Sequence, residues 1–264
     1  MDQAEYTYEM LEYYFGTNVD KVKTNCTPLQ YDKEFEKELQ DSLPIQNDDI
    51  QQIVIKYKGP YCFWIGKLLH LAVQTRFEIA FSVQCLSEYN NSSTEKVFEA
   101  IVHLLQYLAG NILCPIMYPK LSFLGSNKVS WVATPQAKHE IEVPNKPTLF
   151  FDAEFAKDST TQHSYYCNII TVFNVAILFK VKKSTTIMLH TTDTEMKGGS
   201  AGVCQLQPIQ QIFEFCGFPL GKPTQAYTDN ATVHAIIKSV RMTPRCQHID
   251  IPIVLMQQEY NCTF

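Results

Sequence analysis

Residues 148–155 read Thr148-Leu149-Phe150-Phe151-Asp152-Ala153-Glu154-Phe155, an apolar and aromatic run that carries an acidic residue near its end. Aromatic residues are enriched in strands, so the run predicts a buried β-strand that ends with Asp152. Two more acidic residues follow: Glu195 near the start of a predicted helix, and Asp229 at the end of a predicted strand. Such carboxylates can form a Mg²⁺ site, because Mg²⁺ prefers oxygen ligands. Taken alone, three acids are more often solvated loop residues than metal ligands.

The segment before this strand is predicted to be helical. Apolar residues recur at helical spacing in three stretches, and Gly110 ends the last of them. An earlier helix is predicted to close at Phe15-Gly16, whereas residues 32–52 are acid-rich without periodicity, which indicates a loop or a weak helix. The three stretches are residues 65–72, 79–86 and 97–108.

The pattern changes after a proline-containing spacer at residues 111–147, which predicts a linker with some extended structure. Strands and helices then alternate irregularly, which predicts an α+β domain with a mixed sheet. The predicted strands are residues 148–155, 165–173, 176–181 and 224–228, and the predicted helices are residues 192–212, 231–239 and 248–259.

Composition narrows the function classes. The chain has 264 residues with a net charge of −5, so bulk positive charge cannot be the basis of nucleic-acid binding. Nine scattered cysteines without a Cys-x-x-Cys pair predict reduced thiols, and the acidic start Met1–Glu5 does not resemble a secretory signal. The longest apolar run, Ile169–Val181, is too short to cross a bilayer. We therefore expect a cytoplasmic or nuclear protein that is not secreted and has no membrane partner.

Other catalytic patterns are weaker. Ser200 and His234 could belong to a hydrolase triad, but Ser200 lies inside the predicted helix 192–212, not at the strand-to-helix turn of a nucleophile elbow. The glycines at Lys197-Gly198-Gly199-Ser200 lack the spacing of a phosphate-binding loop. No Asp-Thr-Gly or Asp-Ser-Gly loop of an aspartic protease occurs.

Several ordered blocks resemble the C-terminal part of a copia-type LTR retrotransposon Pol polyprotein. Ile65–Ala72, Thr75–Val83 and Leu104–Gly110 resemble the family patterns "IGSLLYLA", "TRPDIAFAV" and "RYLKG", which lie after the polymerase palm. Later blocks resemble the family's RNase H domain and its patterns "SDADWAG", "SKKQ", "SSTEAE", "CDN" and "KHIDI". These blocks are Phe151–Ala156, Val181–Ser184, Thr191–Glu195, Thr228–Asn230 and Gln247–Ile251.

The resemblance implies a reverse transcriptase thumb- or connection-like region at residues 1–118, a linker at 119–147 and an RNase H-like domain at 148–264. It implies hydrolysis of the RNA strand of an RNA–DNA hybrid with Mg²⁺, or Mn²⁺ in its place, at a two-metal site. By family likeness Asp152 would bridge both ions, with Glu195 on one and Asp229 on the other. Residues Lys182, Lys183, Arg245 and His248 are the candidates for contacts with the nucleic acid. The remainder of the retroelement polyprotein is a candidate partner.

The chain also departs from the family pattern. The polymerase aspartate pair does not occur in an apolar setting, since Asp48-Asp49 lies in a polar segment, so we expect no DNA synthesis. The family's fourth carboxylate lies in a block beyond the match, and we expect an RNase H-like domain without its last strand and helix. Asp250 lies in a different block and is not assigned as the fourth ligand. The alternative hypothesis is therefore a truncated or domesticated relic without catalytic activity, acting at most as a binding module.

Overall fold

The protein is described by a computed structural model that covers two compact units. The units are Met1–Ile116 and Met117–Phe264, and each has its own hydrophobic core. The described residues are 2–30, 34, 35, 37, 38, 42, 45, 49–116, 128–132, 138–142, 147–156, 161–172, 175–217, 225–238 and 255–256. The assignment of residues 1–118, 119–147 and 148–264 to named domains stays a prediction.

The first unit is helical. The helices predicted around residues 65–72, 79–86 and 97–108 are confirmed, and the N-terminal helix ends at Phe15 as expected. The longest helix begins after Thr94, whose hydroxyl oxygen accepts a hydrogen bond from Val97 N at 3.4 Å. The helices are α1 (Ala4–Phe15), α2 (Ile50–Lys56), α3 (Tyr61–Gln74), α4 (Ala80–Ser87) and α5 (Glu95–Gly110).

The core of this unit is built around Trp64, which is fully buried. Its indole N–H donates to the Tyr57 carbonyl oxygen at 2.9 Å, so burial leaves the polar end of the ring satisfied. Trp64 shares this core with apolar residues of α3, α4 and α5, in agreement with the helical spacing in the sequence.

The described part of the second unit contains an antiparallel pair of strands, a four-stranded sheet and two helices of eight residues or more. Strands β1 (Lys128–Val132) and β2 (Lys138–Glu142) pair antiparallel within the predicted linker. The other elements are β3 (Thr148–Glu154), β4 (Tyr165–Val172), β5 (Val175–Lys183), α6 (Thr191–Phe215), β6 (Gln225–Tyr227) and α7 (Ala231–Lys238). The helix predicted at 248–259 lies outside the described residues except at 255–256, which are helical.

The sheet has the strand order β5-β4-β3-β6. β3 pairs antiparallel with β4 and parallel with β6, and β4 pairs antiparallel with β5. The sheet is therefore mixed, which confirms the predicted α+β class at this level.

Helix α6 packs closely on the sheet because it carries glycines where the two meet. A Cβ atom on Gly202 would lie 2.6 Å from Leu149 Cδ1, and one on Gly198 would lie 3.2 Å from Tyr166 Cβ. Larger residues would push the helix away from β3 and β4. The close contact brings the first two turns of α6, which contain Glu195, next to the strand that carries Asp152.

None of the described helices combines the length and the apolar character needed to cross a membrane. The cellular compartment stays a prediction.

Candidate metal centre

The structure brings together three acidic residues that are far apart in sequence. One carboxylate oxygen each from Asp152, Glu195 and Asp229 lies within 4.8 Å of the other two. Asp152 and Asp229 are exposed, whereas the Glu195 side chain is 3% exposed. Three oxygen ligands at this separation, two of them open to solvent, fit a hard divalent cation whose remaining positions are taken by water or phosphate.

Each carboxylate is held by a different element. Asp152 lies in β3, where its Oδ1 accepts a hydrogen bond from Ala153 N at 2.7 Å. Glu195 lies in the first turns of α6. Asp229 lies in the short turn between β6 and α7. Parallel pairing of β6 with β3 places the ends of the two strands side by side, which is why Asp229 reaches Asp152.

The turn after β6 is fixed by side-chain hydrogen bonds. Asn230 Oδ1 accepts from Thr232 N at 2.9 Å and from Val233 N at 3.2 Å, so it caps α7. Thr228 Oγ1 accepts from Asn230 N at 3.2 Å. Asp229 therefore lies between two residues whose own contacts define the backbone around it.

The Glu195 carboxylate has a perturbed pKa. Burial, followed by the negative charges of Asp152 and Asp229, raises its pKa from 4.5 to about 7. A hydrogen bond that Thr228 Oγ1 donates to Glu195 Oε2 at 3.2 Å acts in the opposite direction. A bound cation would offset the repulsion among the three carboxylates and favour ionised Glu195.

A cleft of about 330 Å³ opens beside the carboxylates. It is lined by Asp152 and Asp229 together with Phe150, Cys167 and Tyr227 among others. Cys167 pairs with Asp152 across β4 and β3, and burial, followed by the charge of Asp152, raises the pKa of its thiol. A ligand in this cleft would contact both the acidic side chains and an apolar, aromatic wall.

Two of the predicted nucleic-acid contacts lie on β5. Lys182 is exposed, and the Lys183 ammonium lies 5.8 Å from the centre of the Tyr165 ring. β5 is separated from β3 by β4, so these lysines are about 10 Å across the sheet from the strand that carries Asp152. Arg245 and His248 lie outside the described residues.

A third lysine near β5 was not singled out by the sequence. Lys197 in α6 donates to Ser184 Oγ at 2.9 Å and to Thr186 Oγ1 at 3.0 Å. Burial, followed by the nearby charge of Lys182, lowers its pKa. The lysine at the start of the Lys-Gly-Gly-Ser stretch thus connects α6 with the segment after β5.

The chain is similar to two proteins of Arabidopsis thaliana. It is 23% identical over 249 residues, or 94% of its length, to the retrovirus-related Pol polyprotein from transposon RE2. It is 24% identical over 187 residues, or 71% of its length, to the retrovirus-related Pol polyprotein from transposon RE1. The matched parts are 15% and 11% of those proteins, so the chain corresponds to a small part of each.

No protein-family model matches the chain. No solved structure matches it either. The two similarities confirm the resemblance to a retrotransposon Pol polyprotein, and a copia-type element is consistent with them.

Proposed function

We propose that this chain represents the RNase H-type part of a retrotransposon Pol polyprotein and hydrolyses the RNA strand of RNA–DNA hybrids with Mg²⁺. The observation that carries the proposal is the convergence of Asp152, Glu195 and Asp229 within 4.8 Å. Solvated loop acids would have no reason to meet at one point from a strand, a helix and a turn. The similarity to transposon Pol polyproteins supports the same reading.

The arrangement of the sheet supports an RNase H-like domain. The three carboxylates lie on the central strand, on the helix that follows the three antiparallel strands, and after the strand parallel to the centre. This is the order in which the sequence resemblance assigns the ligands.

The residues fit a cation by number, type and exposure of their oxygen atoms. A divalent ion held by Asp152, Glu195 and Asp229 would supply Lewis-acid stabilisation of the charge that develops on the phosphate. Exposed Asp152 and Asp229 face the solvent from which the substrate arrives, whereas Glu195 must lose its proton before it can serve as a ligand. The Thr228 hydroxyl holds one Glu195 oxygen in place. Mn²⁺ would satisfy the same oxygen donors.

The RNA–DNA hybrid is the proposed substrate, and Lys182 and Lys183 are the proposed phosphate contacts, with Arg245 and His248 in the same role. The remainder of the polyprotein is the proposed partner. Contacts of lysine with phosphates are independent of base sequence and weaken with salt, which suits an enzyme that must cut any hybrid sequence.

The direct test is cleavage of a labelled RNA–DNA hybrid by the purified chain in Mg²⁺ and in EDTA. Loss of an outer-shell partner of a metal costs about 10- to 100-fold, so Asp152→Asn, which removes a direct ligand, should cost more than about 100-fold. Glu154→Gln is the matched control, because it removes a negative charge two residues further along the same strand. Equal background cleavage by the parent chain and Asp152→Asn would instead support the inactive relic.

A further inference from the structure

Two aromatic rings stack on the sheet beside the carboxylates. Phe150 and Tyr227 are direct partners in the parallel pairing of β3 and β6, with ring centres 5.2 Å apart and planes inclined by 15°. Both remain open to solvent, since Phe150 is 42% exposed and Tyr227 is 52% exposed. Aromatic side chains bury large areas when they can, so a stacked pair that leaves about half its surface in water has room for a further ring.

The ring pair and the carboxylates belong to one cleft. Phe150 and Asp152 are two residues apart on β3, so their side chains leave the same face of the sheet about 7 Å apart. Tyr227 is the last residue of β6, Asp229 follows it by two residues, and all four residues line the same cleft of about 330 Å³. The cleft therefore offers an aromatic surface at one end and a cation-binding group of oxygens at the other.

We propose that this cleft binds one unpaired nucleotide, whose base stacks on the Phe150–Tyr227 pair while its phosphate is held by the cation at Asp152 and Asp229. This proposal takes only the cation site from the proposed function and does not depend on cleavage. It adds a substrate class: nucleic acid with an unpaired base next to the bound phosphate, as at a strand end or a junction between single strand and hybrid.

The charges explain why a nucleotide requires the cation. Asp152 and Asp229 are exposed acids, and without a counterion they repel a phosphate placed at their end of the cleft. A divalent ion reverses the sign of the local field, so the phosphate and the base can be held together. A base inside a duplex has both faces covered by its neighbours, whereas an unpaired base has a free face for Tyr227 or Phe150.

The experiment measures binding and does not depend on cleavage. Fluorescence anisotropy follows a fluorescein-labelled single-stranded DNA octamer with the purified chain, in Mg²⁺ and in EDTA. A second octamer of the same charge carries abasic tetrahydrofuran residues in place of its bases. Phe150→Leu and Tyr227→Leu remove the aromatic faces, and Phe150→Tyr and Tyr227→Phe are the matched variants that keep them. Circular dichroism and thermal unfolding of each variant identify those that fold as the parent does.

We expect the parent chain in Mg²⁺ to bind the normal octamer at least about fivefold more tightly than the abasic one, because stacking contributes favourably for each base. Folded leucine variants should lose that preference, and Phe150→Tyr and Tyr227→Phe should retain it. Equal affinity for the two octamers, no detectable binding, or leucine variants that bind as the parent does would each overturn the inference. A chain that shows the base preference but never cleaves a hybrid would refute the proposed function and leave the nucleotide site standing.

Discussion

At the scale of single residues, the unusual feature of this chain is a buried glutamate whose neighbours are also acidic. Glu195 is almost fully buried, and its pKa of about 7 is a consequence of burial first and of Asp152 and Asp229 second. Such perturbed carboxylates are typical of functional sites, because a packed core has no use for repulsion among acids. The cost of burying Glu195 without a cation should therefore be measurable in the stability of the chain.

The stability of the metal-free chain should depend on pH through Glu195. Its pKa is about 7 in the folded chain against an ordinary value of 4.5, so between these values the folded state binds more protons than the unfolded state. The free energy of unfolding should then fall as pH rises from about 4.5 to 7, by the order of 1–3 kcal/mol. Urea unfolding in EDTA across this pH range measures it. Glu195→Gln should remove this part of the pH dependence, and an equal decline in both proteins would contradict the assignment.

Asn168 is a second residue whose polar side chain lies in an unfavourable, buried environment. Its side chain is completely buried in β4, and neither its amide nitrogen nor its amide oxygen has a hydrogen-bond partner within the described part of the chain. Asn168→Leu replaces the amide with an apolar group of similar shape, so we expect the free energy of unfolding to increase by about 1 kcal/mol. Asn168→Asp is the opposing variant and should destabilise the chain, because it buries a charge. If Asn168→Leu were less stable than the parent, the Asn168 amide would have to make a contact that stabilises the folded chain.

The sequence was sufficient to predict the candidate ligands but not their electrostatic environment. The three acids could be predicted because each one lies in or next to a predicted element. Asp152 ends a predicted strand, Glu195 is near the start of a predicted helix, and Asp229 ends another predicted strand. The hydrogen bond from Thr228 to Glu195 and the burial of Glu195 could not be named, because both depend on how close α6 comes to the sheet.

At the scale of elements, the contact of α6 with the sheet determines the geometry of the site. Gly198 and Gly199 lack the spacing of a phosphate loop, and the role in packing that they share with Gly202 was not predicted. A Cβ on Gly199 would meet Met256 and Phe151, in the same way that one on Gly202 would meet Leu149. Glycine lowers helix propensity, so its presence here is explained by the close approach of the helix backbone to the strands.

Substitution of these glycines should reverse the usual effect of alanine in a helix. Gly202→Ala places a Cβ 2.6 Å from Leu149, so we expect a loss of about 1–3 kcal/mol in the free energy of unfolding despite the better helix propensity. Gly66→Ala is the matched control in α3, where a Cβ would meet nothing within 4 Å, and it should stabilise by about 0.5–1 kcal/mol. Urea unfolding of both variants measures the difference. A stabilising Gly202→Ala would show that α6 lies further from the sheet.

Strongly periodic elements were the predictable ones. The stretches 65–72 and 97–108 repeat apolar residues at helical spacing, and each is part of an observed helix. Helix α2 lies at the end of a polar segment predicted as a loop or a weak helix, and its seven residues include no buried side chain. α6 was predicted to end near Ile212 and contains Pro208 as predicted, but it continues to Phe215.

At the scale of the whole molecule, the hydrophobic cores of the two units are built from different secondary-structure elements. The first is a helical core centred on Trp64, and the second is a sheet covered by α6. All three candidate ligands belong to the second unit. Binding of a cation should therefore stabilise the molecule unevenly, and this distinguishes a built metal site from scattered binding to the 27 acidic residues of the chain.

Hydrogen exchange with and without Mn²⁺ provides that test. A ligand at 100 times its dissociation constant stabilises the state that binds it by about 2.7 kcal/mol, which slows exchange through unfolding of that state about 100-fold. We expect this protection in β3, in α6 and around Asp229, because these elements hold the three carboxylates, and little change in α1 or α5. Asp152→Asn should remove the protection, whereas Glu154→Gln, which loses the same charge outside the site, should keep it. Protection spread evenly over both units, or unchanged in Asp152→Asn, would mean that the cation binds elsewhere, and the nuclease proposal would lose its metal centre.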